Sequence, residues 1–92
     1  MKFEWDKNKA DINLQKHGIH FSEASTVFAD PLEITINDPA HSISEYRFLS
    51  IAKSEQGRLL VVSYTERQEN NIRIISARLA TKQERKYYEN NN

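Results

Sequence analysis

The sequence predicts a small α+β domain in which an N-terminal αα-hairpin packs on one face of an antiparallel β-sheet and a C-terminal helix lies near an edge. Three observations carry this reading. Apolar residues recur at helical spacing as far as Phe28, and from Glu33 the period changes to two. Leu59 to Thr65 is apolar at almost every position, as a central strand covered on both faces should be. Thr81 followed three residues later by Glu84 is a capping box that starts a last helix.

Taken in order, Lys2-Phe3-Glu4-Trp5 alternates polar and apolar and predicts a short edge strand, and Asp6 is placed to cap a helix from Lys7 to Lys16. Ala10, Leu14 and His17 share one face of that helix, and Gly18 supplies the left-handed position that ends it. A second helical stripe runs through Phe21, Ala24, Val27 and Phe28, with Ser22 as its cap and Asp30-Pro31 as its stop. Ile34 and Ile36 then alternate with Glu33, Thr35 and Asn37 up to a turn at Asp38-Pro39. Arg47 to Ala52 is the next strand, and Ser54-Glu55-Gln56-Gly57 is a hairpin turn in which Gly57 accepts positive φ. After the polar loop Glu66 to Asn71, Ile72, Ile74 and Ile75 make a strand that turns a corner at Arg78. The tail Asn90-Asn91-Asn92 is expected to fray.

A length of 92 residues with 38% hydrophobic content fits a single domain, 1–92. There is no cysteine, which removes disulfides and Cys-based zinc sites from consideration and agrees with a reducing compartment. Leu59-Leu60-Val61-Val62 is the longest apolar run, too short for a membrane span or a signal sequence, so a soluble cytoplasmic protein with no membrane partner is expected. Net charge is zero, but Arg58, Arg67, Arg73, Arg78, Lys82, Arg85 and Lys86 crowd the C-terminal third. A local basic cleft can focus a polyanion without net charge. An arginine on a packed strand needs an anionic partner, so Arg73 and Arg78 each require a carboxylate of this chain or an outside phosphate.

Phe3-Glu4-Trp5-Asp6, Asn13-Leu14-Gln15-Lys16-His17-Gly18, Val27-Phe28-Ala29-Asp30-Pro31, Asp38, His41, Glu45-Tyr46-Arg47, Gly57-Arg58, Tyr64-Thr65-Glu66-Arg67 and Ile72-Arg73-Ile74-Ile75-Ser76-Ala77-Arg78 follow one another in an order that resembles the BrnT toxins, over nearly the whole chain. The resemblance implies a RelE-like fold and an endoribonuclease that stops translation as the toxin of a type II toxin-antitoxin system. It also implies a cognate antitoxin with a ribbon-helix-helix DNA-binding end, so that operator DNA is reached only through the antitoxin.

Metal-independent RNA cleavage asks for a base at the 2′-hydroxyl, cations on the phosphorane oxygens and an acid for the leaving 5′-oxygen. Arg67 and Arg78, at the ends of successive strands, are expected to lie near one another and clamp the phosphate, since guanidinium grips oxygens bidentately. Arg47 would extend the clamp, and Glu45, two residues away on the same strand face, would act as base or orient Arg47. Lys16 and His17 sit at a helix C-terminus, where the dipole favours their charged forms and suits them to acid donation or phosphate binding. Arg73 adds RNA contact, and Tyr64 with Tyr87 or Tyr88 offers stacking platforms. Plainer roles stand beside these. Arg67 and Arg78 can pair with Glu66, Glu69 or Glu84, Glu45 and Arg47 can serve neighbouring strands, and His17 shares the apolar stripe of Leu14. His17, His20, Asp38, His41 and Glu45 lack the short fixed offsets of a zinc site, so neither metal nor cofactor is expected. The competing function is a non-catalytic partner-binding module whose arginines meet an acidic protein.

Overall fold

Asp6 and Gly18 bracket the first helix in the computed structural model, which describes residues 1–38, 46–68 and 70–91. Helix α1 spans Lys7–His17, with the Asp6 carboxylate accepting from the Lys9 N–H at 3.0 Å and Gly18 at φ 70°. The second helical stripe behaves differently from expectation. It makes only four α-helical residues, α2 at Phe21–Ala24, and then tightens into a 3₁₀ segment at Ser25–Ala29. His20 rather than Ser22 occupies the N-cap position, without a side-chain cap bond. The hydroxyls of Ser25 and Thr26 bond back to the Ser22 and Glu23 carbonyls, competing with the α-helical ladder. Asp30 ends the segment as predicted.

The five strands are β1 (Lys2–Glu4), β2 (Ile34–Asn37), β3 (Arg47–Lys53), β4 (Leu59–Arg67) and β5 (Asn71–Leu79), in the order β1-β5-β4-β3-β2. The sheet is mixed rather than antiparallel, because β1 pairs parallel with β5 (Phe3 opposite Ile72) while all other ladders are antiparallel. The helices carry the chain away from β1, and a pairing between distant segments has no turn to announce it. Between β4 and β5 the register shifts: Ser63 faces Ser76, but Tyr64 faces Ile74, leaving Ile75 as an extra residue in β5.

Alternation along β4 sends its side chains into two separate cores. Leu60, Val62 and Tyr64 pack with Ile19, Phe21, Ala24, Val27, Ile72, Ile74 and Ala77 beneath the N-terminal helices. Leu59 and Val61 pack on the other face with Ile51 and with Tyr88 of α3, Lys82–Asn90. The last helix therefore packs over β3 and β4, with Ile34 of edge strand β2 against the same cluster. Its start carries the expected capping box between Thr81 and Glu84.

Polar ties fix the corners. Glu23 is buried and accepts from Ser54 Oγ at 2.7 Å and from Arg58 Nε at 3.0 Å, with an ion pair to Arg58 Nη2. Arg58 holds the Glu23 carboxyl below its ordinary range despite burial. Asp30 accepts from the Lys53 N–H at 2.8 Å and from the Tyr88 hydroxyl at 2.7 Å, joining the end of the 3₁₀ segment to β3 and α3. Among the described residues no helix is long and apolar enough to cross a membrane.

Candidate nucleic-acid interface

Residues directly opposite in an antiparallel ladder share a face. Arg47 of β3 faces Thr65 of β4, and Thr65 faces Arg73 of β5, so the three form one row. Thr65 is on the same face as Leu59 and Val61 because β4 alternates without interruption, so this row lies on the α3 side of the sheet. Arg67, two residues beyond Thr65, joins it. The next row is Leu49-Ser63-Ser76 and the one after it Ile51-Val61-Arg78. Helix α3 covers the last of these through Tyr88, with Leu49 of the middle row packed against the same cluster, and among the described residues no helix packs on the arginine row. Arg47 and Arg73 are half-buried and their Cα atoms are two strand spacings apart, roughly 10 Å.

The expected Arg67 and Arg78 clamp does not form. Arg67 faces Asn71 at the loop end of the ladder, whereas Arg78 faces Val61, six residues back along β4 and roughly 20 Å away at about 3.3 Å per residue. Both arginines do stand beside a connection, but at opposite ends of the same hairpin. Arg78 is also engaged: its Nη1 and Nη2 donate to the two Glu84 oxygens at 2.7 and 2.9 Å. The Thr81 N–H donates to the same carboxylate at 2.8 Å, and the Glu84 carboxyl is held down to about 2, first by the Arg78 hydrogen bonds. Arg78 thus staples the strand-to-helix corner. Arg73, by contrast, forms no ion pair and no side-chain hydrogen bond among the described residues, although Glu4 of β1 stands opposite it in the ladder.

Two of the expected stacking rings are withdrawn. Tyr64 is 3% exposed in the opposite core, edge-on to Phe28 with centroids 4.9 Å apart and stacked on Phe48 at 5.5 Å. Burial raises its hydroxyl pKa, and no base can reach its ring from the arginine face. Tyr88 points from α3 into the core with Ile51, Leu59 and Val61, and burial together with Asp30 pushes its pKa up to about 12. Tyr87 is 46% exposed and lines a cleft of about 380 Å³ with Ile36, Leu49, Ile51 and Val61, beside the arginine row. Lys16 and His17 line a smaller recess with Asn13, Ile75 and Ser76, where α1 meets the β5 bulge. Glu45 and His41 lie outside the described residues.

Asn13 escaped the sequence reading. Its amide is buried, donates to the Ala77 carbonyl at 2.9 Å and the Ile19 carbonyl at 3.1 Å, and accepts from the Ala77 N–H at 3.0 Å. It substitutes for a strand partner where the β1 pairing has stopped at Arg73. Its position beside Leu14 on the helix stripe was the available signal. Thr65 was overlooked too, although period-two alternation alone puts it on the face of Arg67.

Comparison with known proteins bears on the fold and the family. Similarity to the 1.1 Å crystal structure of the Brucella abortus ribonuclease toxin BrnT covers 89% of this chain and 99% of that one, at a TM-score of 0.65 and 21% identity, a likeness of fold. No curated protein sequence matched. Residues 5–84 match the family described as the ribonuclease toxin, BrnT, of type II toxin-antitoxin systems, and with most of its length inside that match the chain belongs to the BrnT family.

Proposed function

We propose that this chain is a cytoplasmic, metal-independent endoribonuclease that inhibits translation, built on a RelE-like fold whose N-terminal helices act as a hairpin. The observation that carries the reading is Arg73, half-buried on a packed strand in a row with Arg47 and close to Arg67, and without an ion pair among the described residues although Glu4 stands opposite it on β1. A fixed cation of this kind is best satisfied by a phosphate oxygen. In the proposed reaction the 2′-oxygen attacks phosphorus as a base removes its proton. The bond to the 5′-oxygen breaks, leaving a 2′,3′-cyclic phosphate and a 5′-hydroxyl. Arg47, Arg67 and Arg73 stabilise the charge that grows on the non-bridging oxygens. Lys16 or His17 supplies the leaving-group proton, Glu45 takes the first one, and Tyr87 stacks on a base beside the scissile phosphate.

Membership of a type II toxin-antitoxin family implies an antitoxin partner. In this reading that antitoxin covers the arginine face with an acidic segment and contributes a ribbon-helix-helix end that contacts operator DNA. Induced expression should arrest growth and fragment RNA, and purified protein should cleave RNA in excess EDTA. Folded protein that leaves growth and RNA untouched would favour the non-catalytic binding module instead.

A further inference from the structure

Thr65 is 1% exposed, and its Oγ1 is a buried atom with no hydrogen-bond partner among the described residues. A hydroxyl in that position is unfavourable, and valine would keep the shape and the strand preference without it. The neighbours across the ladder on either side are Arg47 and Arg73, which carry donors only and cannot accept the hydroxyl hydrogen. Arg73 likewise donates to no acceptor among the described residues, although Glu4 stands opposite it on β1. Two adjacent groups on one face therefore lack the same thing, an acceptor oxygen.

We propose that Thr65 is a phosphate-anchoring residue: its hydroxyl donates to a non-bridging oxygen of the phosphodiester that Arg73 holds from the neighbouring strand. The inference rests on the ribonuclease reading for the identity of the ligand, and it adds a neutral donor at the floor of the arginine row. Arg47 and Arg73 flank Thr65 across the ladder, and their side chains are long enough to turn onto an anion that the hydroxyl also meets.

The test compares the native chain with Thr65→Val and Thr65→Ser. Thermal melting should show Thr65→Val at least as stable as the native protein, because no internal hydrogen bond is lost. Inorganic phosphate is then titrated while the Arg73 Nε–H resonance is followed by NMR. The native chain and Thr65→Ser should bind alike, whereas Thr65→Val should bind roughly 10- to 100-fold more weakly, the loss expected for one hydrogen bond to a charged acceptor. Single-turnover RNA cleavage should fall by a similar factor in Thr65→Val and be restored in Thr65→Ser. Equal phosphate binding by native and Thr65→Val protein, or no phosphate binding by the native chain, overturns the proposal. If Thr65→Val does not fold, Thr65→Ala takes its place in the same comparison. Thr65-dependent phosphate binding without RNA cleavage would leave the anchor standing and defeat the ribonuclease reading. Cleavage unaffected by Thr65→Val would do the reverse.

Discussion

Replacing Asn13 with alanine should destabilise the fold by about 3 kcal/mol. The substitution removes three buried hydrogen bonds, to the Ile19 carbonyl and to both backbone groups of Ala77. Two carbonyls and one N–H are left without that partner, at about 1 kcal/mol each at the low end of the cost of an unsatisfied buried group. A chain of this length has a total stability of roughly 5–14 kcal/mol, so the loss is a large share of it. The midpoint of thermal unfolding should fall by roughly 12–24 °C. Asn13→Asp should be worse at neutral pH, since it turns the donor into a charged acceptor facing the Ile19 and Ala77 carbonyls. Circular dichroism melts give the first number. Hydrogen exchange at the Ala77 amide, which should speed up in Asn13→Ala, localises the effect to the β5 edge. A melt within a degree or two of native, with Ala77 still protected, would refute the view that this amide substitutes for a strand partner.

Three further expectations concern the corners and the face. The Glu84 carboxyl is held at about 2 in the folded chain, so its contribution to stability is full above its unfolded value near 4.5 and is lost as pH falls towards 2. Discounted for partial exposure, that contribution is about 1 kcal/mol, and Glu84→Gln should flatten the acid limb of a stability-against-pH curve by that amount. Tyr88→Phe should cost about 1 kcal/mol in urea unfolding, because the hydroxyl donated to Asp30 is lost while the ring remains packed. Arg67→Ala and Arg78→Ala should act additively on RNA affinity, with coupling below about 0.5 kcal/mol, because the two residues stand at opposite ends of the ladder. A larger coupling would restore the clamp that the register separates.

Local signals were legible in the sequence. The Asp6 and Gly18 boundaries, the Ser54 to Gly57 turn and the Thr81 to Glu84 capping box each depend on residues a few positions apart, and the structure carries all of them. Strand β4 was legible because continuous apolar character has few other uses in so short a run. What was not legible is non-local. The parallel pairing of β1 with β5 joins segments at opposite ends of the chain, and the extra residue Ile75 resets the faces of β5 without any glycine or proline to mark it. Placing Arg67 beside Arg78 failed for a different reason: Arg67 adjoins the hairpin loop while Arg78 lies seven residues beyond Asn71, so the two stand at opposite ends of the ladder. Tyr64 misled because an aromatic residue reads alike as platform or as core, and only the ring contacts with Phe28 and Phe48 distinguish the two. The second helix shortened because hydroxyls at Ser25 and Thr26 turned back to the backbone, a competition that apolar spacing does not reveal.

The central claim is that Arg73, in the row of Arg47 and Thr65, meets the RNA phosphate, while Arg78 serves the corner of the fold. Single-turnover RNA cleavage by native, Arg73→Ala and Arg78→Ala proteins, each with its melting temperature, tests this most directly. Arg73→Ala should melt like the native chain and lose about a hundredfold or more in cleavage, the scale of removing one preorganised charge partner. Arg78→Ala should lose stability first, through the Glu84 pair. An Arg73→Ala protein that cleaves at the native rate, beside an equally stable Arg78→Ala protein that does not cleave, would contradict it.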